Sequence, residues 1–220
     1  MAPTIIVSYD GTPDDDDAIA LGKAFAQAGA SVALAYVRHS RLQDEAAEER
    51  ESRAAAKLLE RGAQMLGGET KTFVLFNPST ADALRELIER EGFDAIVFGS
   101  SYRTPAGHIA PGRAAEQLLD SGPAAIGVAP AGLRDEAPKI EKVAVVSYAT
   151  GDAAEQTATS FGVDVVPAPD PEADLLVFAS RPGAPKGTVS ISAASEQLAE
   201  EAASCPVLVV ANETPLDFGS

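Results

Sequence analysis

Apolar and polar positions fall into blocks of two lengths along this chain. Short β-branched runs recur: TIIVSYD at 4–10, SVALAYV at 31–37, TKTFVLF at 70–76, FDAIVFGS at 93–100 and PAAIGVAP at 123–130. Each has the length and composition of a buried strand. Between them lie longer stretches with helical spacing. Ala18, Leu21, Phe25 and Ala28 share one face of a helix that opens on an acidic turn, which suits the helix dipole. Residues 44–66 are rich in Ala, Glu and Arg, and PSTADALRELIEREG predicts a helix capped by Ser79 or Thr80 and stopped at Gly92. GRAAEQLLDSG predicts one more. Strands alternating with helices imply a parallel sheet covered on both faces.

After a polar stretch at 131–141, AGLRDEAPKIE, the pattern starts again at KVAVVSYAT. Val146-Ser147-Tyr148 repeats Val7-Ser8-Tyr9. The window from Asp94, DAIVFGSSYRTPAGHIAPGRAAEQL, aligns without a gap to that from Asp174, DLLVFASRPGAPKGTVSISAASEQL, with ten identities in 25 positions. The chain therefore reads as an internal duplication. The second copy lacks the portion that 44–92 supplies to the first. The expected organisation is an α/β domain at 1–130, a linker at 131–141, a reduced copy at 142–212 and a tail at 213–220. An apolar last strand is an edge hazard unless paired. AAIGVAP and PVLVVAN are therefore expected to pair antiparallel, making an intrachain pseudo-dimer. A homodimer of the whole chain stays open.

Composition narrows the function. The 33 acidic and 17 basic residues give a formal net charge of −16, which disfavours nucleic acid and anionic membranes as partners. No apolar run is long enough to span a bilayer, no signal-peptide pattern opens the chain, and Cys205 is the only cysteine, which together point to the cytoplasm.

Ligands of open α/β sheets sit beyond the carboxyl ends of the strands where strand order reverses. YDGT after the first strand and GSSYRTPAGHIAPGR after the fourth converge there. On these residues the chain resembles the universal stress protein family. Its signature after the fourth strand is a glycine, two residues, a second glycine, nine residues, then a third glycine followed by Ser or Thr, with an Asp ending the first strand. Gly99, Gly112 and Asp10 match. The resemblance implies a flavodoxin-like, adenine-nucleotide-hydrolase-like fold of order 3-2-1-4-5, a stress-related regulatory role without catalysis and, in one subset, binding of ATP or AMP. It places that site at Asp10, Gly11, Val37, Gly99, Ser100, Tyr102, Arg103, Gly112 and Arg113.

Two positions depart from the signature. Tyr102 stands at the second glycine and Arg113 at the Ser/Thr. Tyrosine resists a positive φ, whereas the Arg113 fork suits phosphate. Two readings of the loop stand: an anion site, with Arg103 and His108 adding positive character, or a cover for a helix end. In the second copy Ala149, Ala179 and Ser192 replace the Asp and two glycines, so any ligand is expected in the first copy only.

The run Asp14–Asp17 suggests a rival, a Mg²⁺-dependent nucleotide hydrolase or phosphoryl-transfer enzyme with Asp10 as nucleophile. Consecutive helical residues fan around the axis, however, and an acidic helix start accounts for the run. His39, His108 and Cys205 lack metal-ligand spacing.

Overall fold

The computed structural model describes residues 1–39, 44–193 and 205–219. The repeated Glu196-Gln197-Leu198 lies outside them.

The apolar runs form strands β1 (Thr4–Ser8), β2 (Ser31–Arg38), β3 (Lys71–Phe76), β4 (Ala95–Phe98) and β5 (Ala125–Val128). Between them lie helices α1 (Pro13–Gln27), α2 (Glu45–Leu66), α3 (Thr80–Glu91) and α4 (Arg113–Ser121). The predicted boundaries of α3 are met by local chemistry. The Ser79 hydroxyl accepts from the Asp82 amide, and Gly92 closes the helix in the left-handed region at φ 76°. The second half contributes β6 (Lys142–Val146), α5 (Ala153–Ser160), β7 (Asp164–Pro167), β8 (Leu175–Ala179) and β9 (Val207–Val210).

All nine strands join one sheet in the order β3-β2-β1-β4-β5-β9-β8-β6-β7. Neighbours run parallel except β5 and β9, which meet antiparallel with Ile126 opposite Val209 and Val128 opposite Val207. Strand order reverses between β1 and β4, and again between β6 and β8. Alternate strand residues feed two cores. Ile5, Val7, Val177 and Leu208 pack on one face with α1, α2 and α5. Ile6, Ile96, Phe178 and Val209 pack on the other with α3 and α4.

The repeated window folds into repeated hydrogen bonds. The Ser100 hydroxyl donates to Ala129 O at 2.8 Å, and the Ser180 hydroxyl to Val210 O at 2.7 Å. The amides of Gly107 and Gly187 donate to Ala131 O and Asn212 O, both at 2.8 Å. Both glycines need positive φ, 78° and 75°. At the opposite strand ends Asp94 accepts from the Thr4 amide, and Asp174 from the Lys142 amide, each at 2.8 Å. The Gly/Pro-rich loop is thus a tie, between the loops after β4 and β5 in the first half and between those after β8 and β9 in the second.

Two expected boundaries need correcting. The stretch 131–141 is no free linker. Leu133 is buried, residues Leu133–Asp135 form a 3-10 turn, and fully buried Asp17 accepts from the amides of Gly132 (2.9 Å) and Arg134 (2.8 Å) and from Arg134 Nη1 (2.8 Å). Nor do residues 213–219, the described part of the expected tail, hang free. Leu216 and Phe218 are buried, and Phe218 stacks on Phe161 with ring centroids 3.9 Å apart. The Leu216 amide donates to the Thr157 hydroxyl at 2.9 Å. Its two apolar side chains follow a break in strand pattern, so periodicity could not place them.

A chain ending near Pro130 would leave β5 as an open apolar edge. It is expected to dimerise or aggregate in sedimentation velocity, where the full chain has that edge covered. A strictly monomeric fragment as stable as the full chain would refute this.

Candidate functional site

The carboxyl ends of β1 and β4 open onto a cleft of about 220 Å³. Its lining includes Ser8, Asp10, Thr12, Asp14 and Asp15 on one side and Gly99, Ser100, Gly112 and Arg113 on the other, with Thr80 from the start of α3. Of the residues expected here, Asp10, Gly99, Ser100, Gly112 and Arg113 are brought together. Tyr102 and Arg103 stand on the exposed loop tip, outside the cleft lining, with the Arg103 guanidinium 5.3 Å from the centroid of the Tyr102 ring. Val37 is buried in the second core. Gly11 lies in the turn at φ 81°, where a Cβ would run into Leu58.

The glycines differ in what they serve. A Cβ at Gly99 would fall on the Asp14 carbonyl, so this glycine lets the start of α1 lie against the end of β4. A Cβ at Gly112 would meet only Ser101 Oγ, at 3.5 Å, and Gly112 has an ordinary φ of −76°. Gly112 is the N-cap of α4, with no side chain capping the helix. Its first-turn amides therefore face the cleft without the hydroxyl or carboxylate that caps α1, α2 and α3. Exposed Arg113 at the first helical position adds a cation where the dipole is already positive.

The opposite wall is acidic, and the four aspartates of the run Asp14–Asp17 behind it do four different jobs. Asp15 Oδ2 accepts from the amides of Asp10 (3.1 Å) and Thr12 (3.0 Å) and from the Thr12 hydroxyl (2.6 Å), closing a capping box. The backbone donors at the end of β1 are therefore taken by the protein's own carboxylate. Asp16 pairs with Arg61 at 2.7 Å, Asp17 pairs with Arg134, and Asp14 lines the cleft. The acids fan around the axis, as their consecutive spacing requires. Among the described residues no three His, Cys, Asp or Glu side chains are placed to hold a metal ion.

Asp10 lines the cleft and is exposed as a residue. Partial burial of its carboxylate, then the Asp15 charge, pushes it up to about 6, while His39 pulls it down. Sequence reasoning missed this role of His39 because β2 ends beside β1 only in the folded sheet. Thr12 and Thr80 were equally hidden, as ordinary helix-start residues. Burial, then the Asp174 charge, drives the Cys205 thiol up to about 12, which disfavours the reactive thiolate.

A raised carboxylate pKa has a defined sign in stability. The folded protein binds the Asp10 proton more tightly than the unfolded chain, so this group's contribution falls as pH rises from about 4 to about 6. Asp10→Asn is therefore expected to flatten that part of the stability–pH curve, measured by urea unfolding in steps across it. An unchanged slope would count against the raised value.

At the matching place in the second half the protein's own side chains bond to one another and to the backbone. The Tyr148 hydroxyl donates to Ser192 Oγ at 2.8 Å, and Asp152 accepts from the amides of Tyr148, Ala154 and Glu155.

The sheet order and the cleft at its switch point define a doubly wound, flavodoxin-like α/β protein. Within that class the chain belongs to the universal stress protein family, whose model matches residues 1–130. Its fold is similar to that of a universal stress protein from Archaeoglobus fulgidus, with a TM-score of 0.59 at 13% identity over 94% of this chain and 98% of that one. It is also similar to a functionally unknown protein from Pseudomonas aeruginosa, with a TM-score of 0.55 at 11% identity over 96% and 93% of the two chains. No curated protein sequence matches the chain. Among the described residues no helix is long and apolar enough to cross a membrane.

Proposed function

We propose that this protein is a non-catalytic regulatory member of its family that binds the phosphate of an adenine nucleotide, ATP or AMP, or a smaller anion, in the β1–β4 cleft. The observation that carries this reading is the start of α4. Its amides lack a side-chain cap, and Arg113 stands beside them with no ion pair among the described residues. An anion there would satisfy the amides and relieve the cation at once. The Arg113 fork would take over the phosphate contact of the absent hydroxyl. The cleft's volume, about 220 Å³, is below the roughly 300–1,000 Å³ of whole-ligand pockets. This favours a phosphate-sized group inside and the nucleoside against the rim. The second half, which lacks the matching Asp and two glycines, acts as the partner that covers β5. Duplication of an ancestral unit accounts for the repeated loop bonds.

The test is a thermal-shift and calorimetric screen with ATP, ADP, AMP, cyclic nucleotides and inorganic phosphate, because a ligand of the native state raises the melting temperature. Gly112→Asp would place a carboxylate over the α4 amides, where the open φ admits it. It is expected to hold or slightly raise stability and to abolish anion binding. Binding unchanged in this variant would sink the assignment. Turnover of ATP with Mg²⁺ that disappears in Asp10→Ala would instead make the protein a hydrolase.

A further inference from the structure

A second cavity lies on the outer side of α1, away from the cleft. It measures about 360 Å³ and runs between α1, the end of α2 and the connector that follows the 3-10 turn. Its α1 wall is Asp16, Ile19, Ala20, Lys23 and Gln27, the spacing of one helix face. Met65 of α2 and Pro138 complete an apolar floor with Ile19 and Ala20. Three cations, Lys23, Arg134 and Lys139, edge it.

The charge pattern is unlike that of the chain as a whole, which carries 33 acidic residues against 17 basic. The one carboxylate lining this groove, Asp16, is already committed to Arg61 at 2.7 Å. Arg134 is balanced by Asp17. Lys23 and Lys139 are exposed and have no carboxylate partner among the described residues. The groove therefore presents over an apolar floor two lysines that stand outside any ion pair among the described residues, Lys139 at the border of the pocket that Glu136, Glu141, Glu172 and Asp174 line. Its connector wall is held in an uncommon backbone: Ala137 has φ 47°, a left-handed conformation that alanine adopts at a cost and that the following proline restricts further. Strained backbone of this kind is concentrated at ligand clamps and switch regions.

We propose that this groove is a binding site for a small amphiphilic anion, a carboxylate or sulfonate carried on a compact apolar body. The body would lie on Ile19, Ala20, Met65 and Pro138, with Met65 adapting to its shape. The anionic head would lie between Lys23 and Lys139. The volume falls within the range of small-molecule sites, about 300–1,000 Å³. The site is separate from the β1–β4 cleft and does not depend on what that cleft binds.

The probe is 8-anilinonaphthalene-1-sulfonate, titrated into the full chain by fluorescence and by calorimetry. The expected result is saturable one-to-one binding. Lys23→Glu with Lys139→Glu should weaken it by about a hundredfold, tenfold for each reversed charge. Ala20→Phe, which fills the floor, should weaken it with both lysines in place. Lys186→Glu, which reverses a cation in the loop after β8, should change nothing. Circular dichroism and melting of each variant establish that the fold is retained. Lack of saturable binding to the folded wild type, or binding as tight as wild type in either the double or the Ala20→Phe variant, would overturn the proposal. So would a wild-type dimer in sedimentation that dissociates on Lys23→Glu with Lys139→Glu, since the groove would then be a contact between copies.

Discussion

Arg134→Met is expected to destabilise the protein by about 3–5 kcal/mol, the usual cost of breaking a buried ion pair from one side. Asp17 is wholly buried, whereas the Arg134 side chain retains 34% exposure. Removing the arginine therefore strands a carboxylate that water cannot reach, with two backbone amides as its remaining donors. It also frees Pro13 O, to which Arg134 Nη1 donates at 3.1 Å. The loss should appear as a lower urea midpoint at unchanged m. Adding Asp17→Asn to Arg134→Met removes the stranded charge and keeps an oxygen for a backbone donor, so part of the loss should return. A single variant as stable as the parent, or no recovery in the double, would show that this pair does not bind the connector to α1.

The carboxyl-terminal strap should matter to a similar degree. Phe218→Ala is expected to cost about 3–5 kcal/mol, the range for emptying a buried aromatic site. Its ring, 5% exposed, stacks on Phe161 and lies 5.8 Å from Phe25, so it bridges the two halves of the chain. Its carbonyl passes so close to Gly29 that a Cβ there would lie 2.9 Å from the oxygen. A chain ending at Thr214 also loses Leu216 and its bonds to Thr157 and Ser160, and should be less stable than Phe218→Ala. Amide exchange should then quicken first in α5, which provides both of those partners. Equal stability of the shortened and full chains would return these residues to the status of a passive tail.

The sequence by itself determined the strands, the helices and their ends, because each rests on local causes: β-branched runs, helical spacing, Ser79 and Gly92 as caps. It also carried the repeat, and with it the antiparallel meeting of β5 and β9, since two apolar last strands require cover. Asp10, Gly99 and Gly112 were legible as neighbours because strand order in this fold class brings those loops together. Only the tertiary structure decided how each residue is used. Gly99 proves to be a contact for α1, Asp15 takes the amides of Asp10 and Thr12 just past β1, and the charge of His39, just past the end of β2, acts on Asp10. Asp17 finds its partner 117 positions away, in a connector whose polar composition reads as a linker. Leu216 and Phe218 are too few to show a period, yet a gap between α1 and α5 buries them. Such roles depend on which surfaces the assembled sheet brings within a few ångströms of one another, and no local pattern in the chain encodes that proximity.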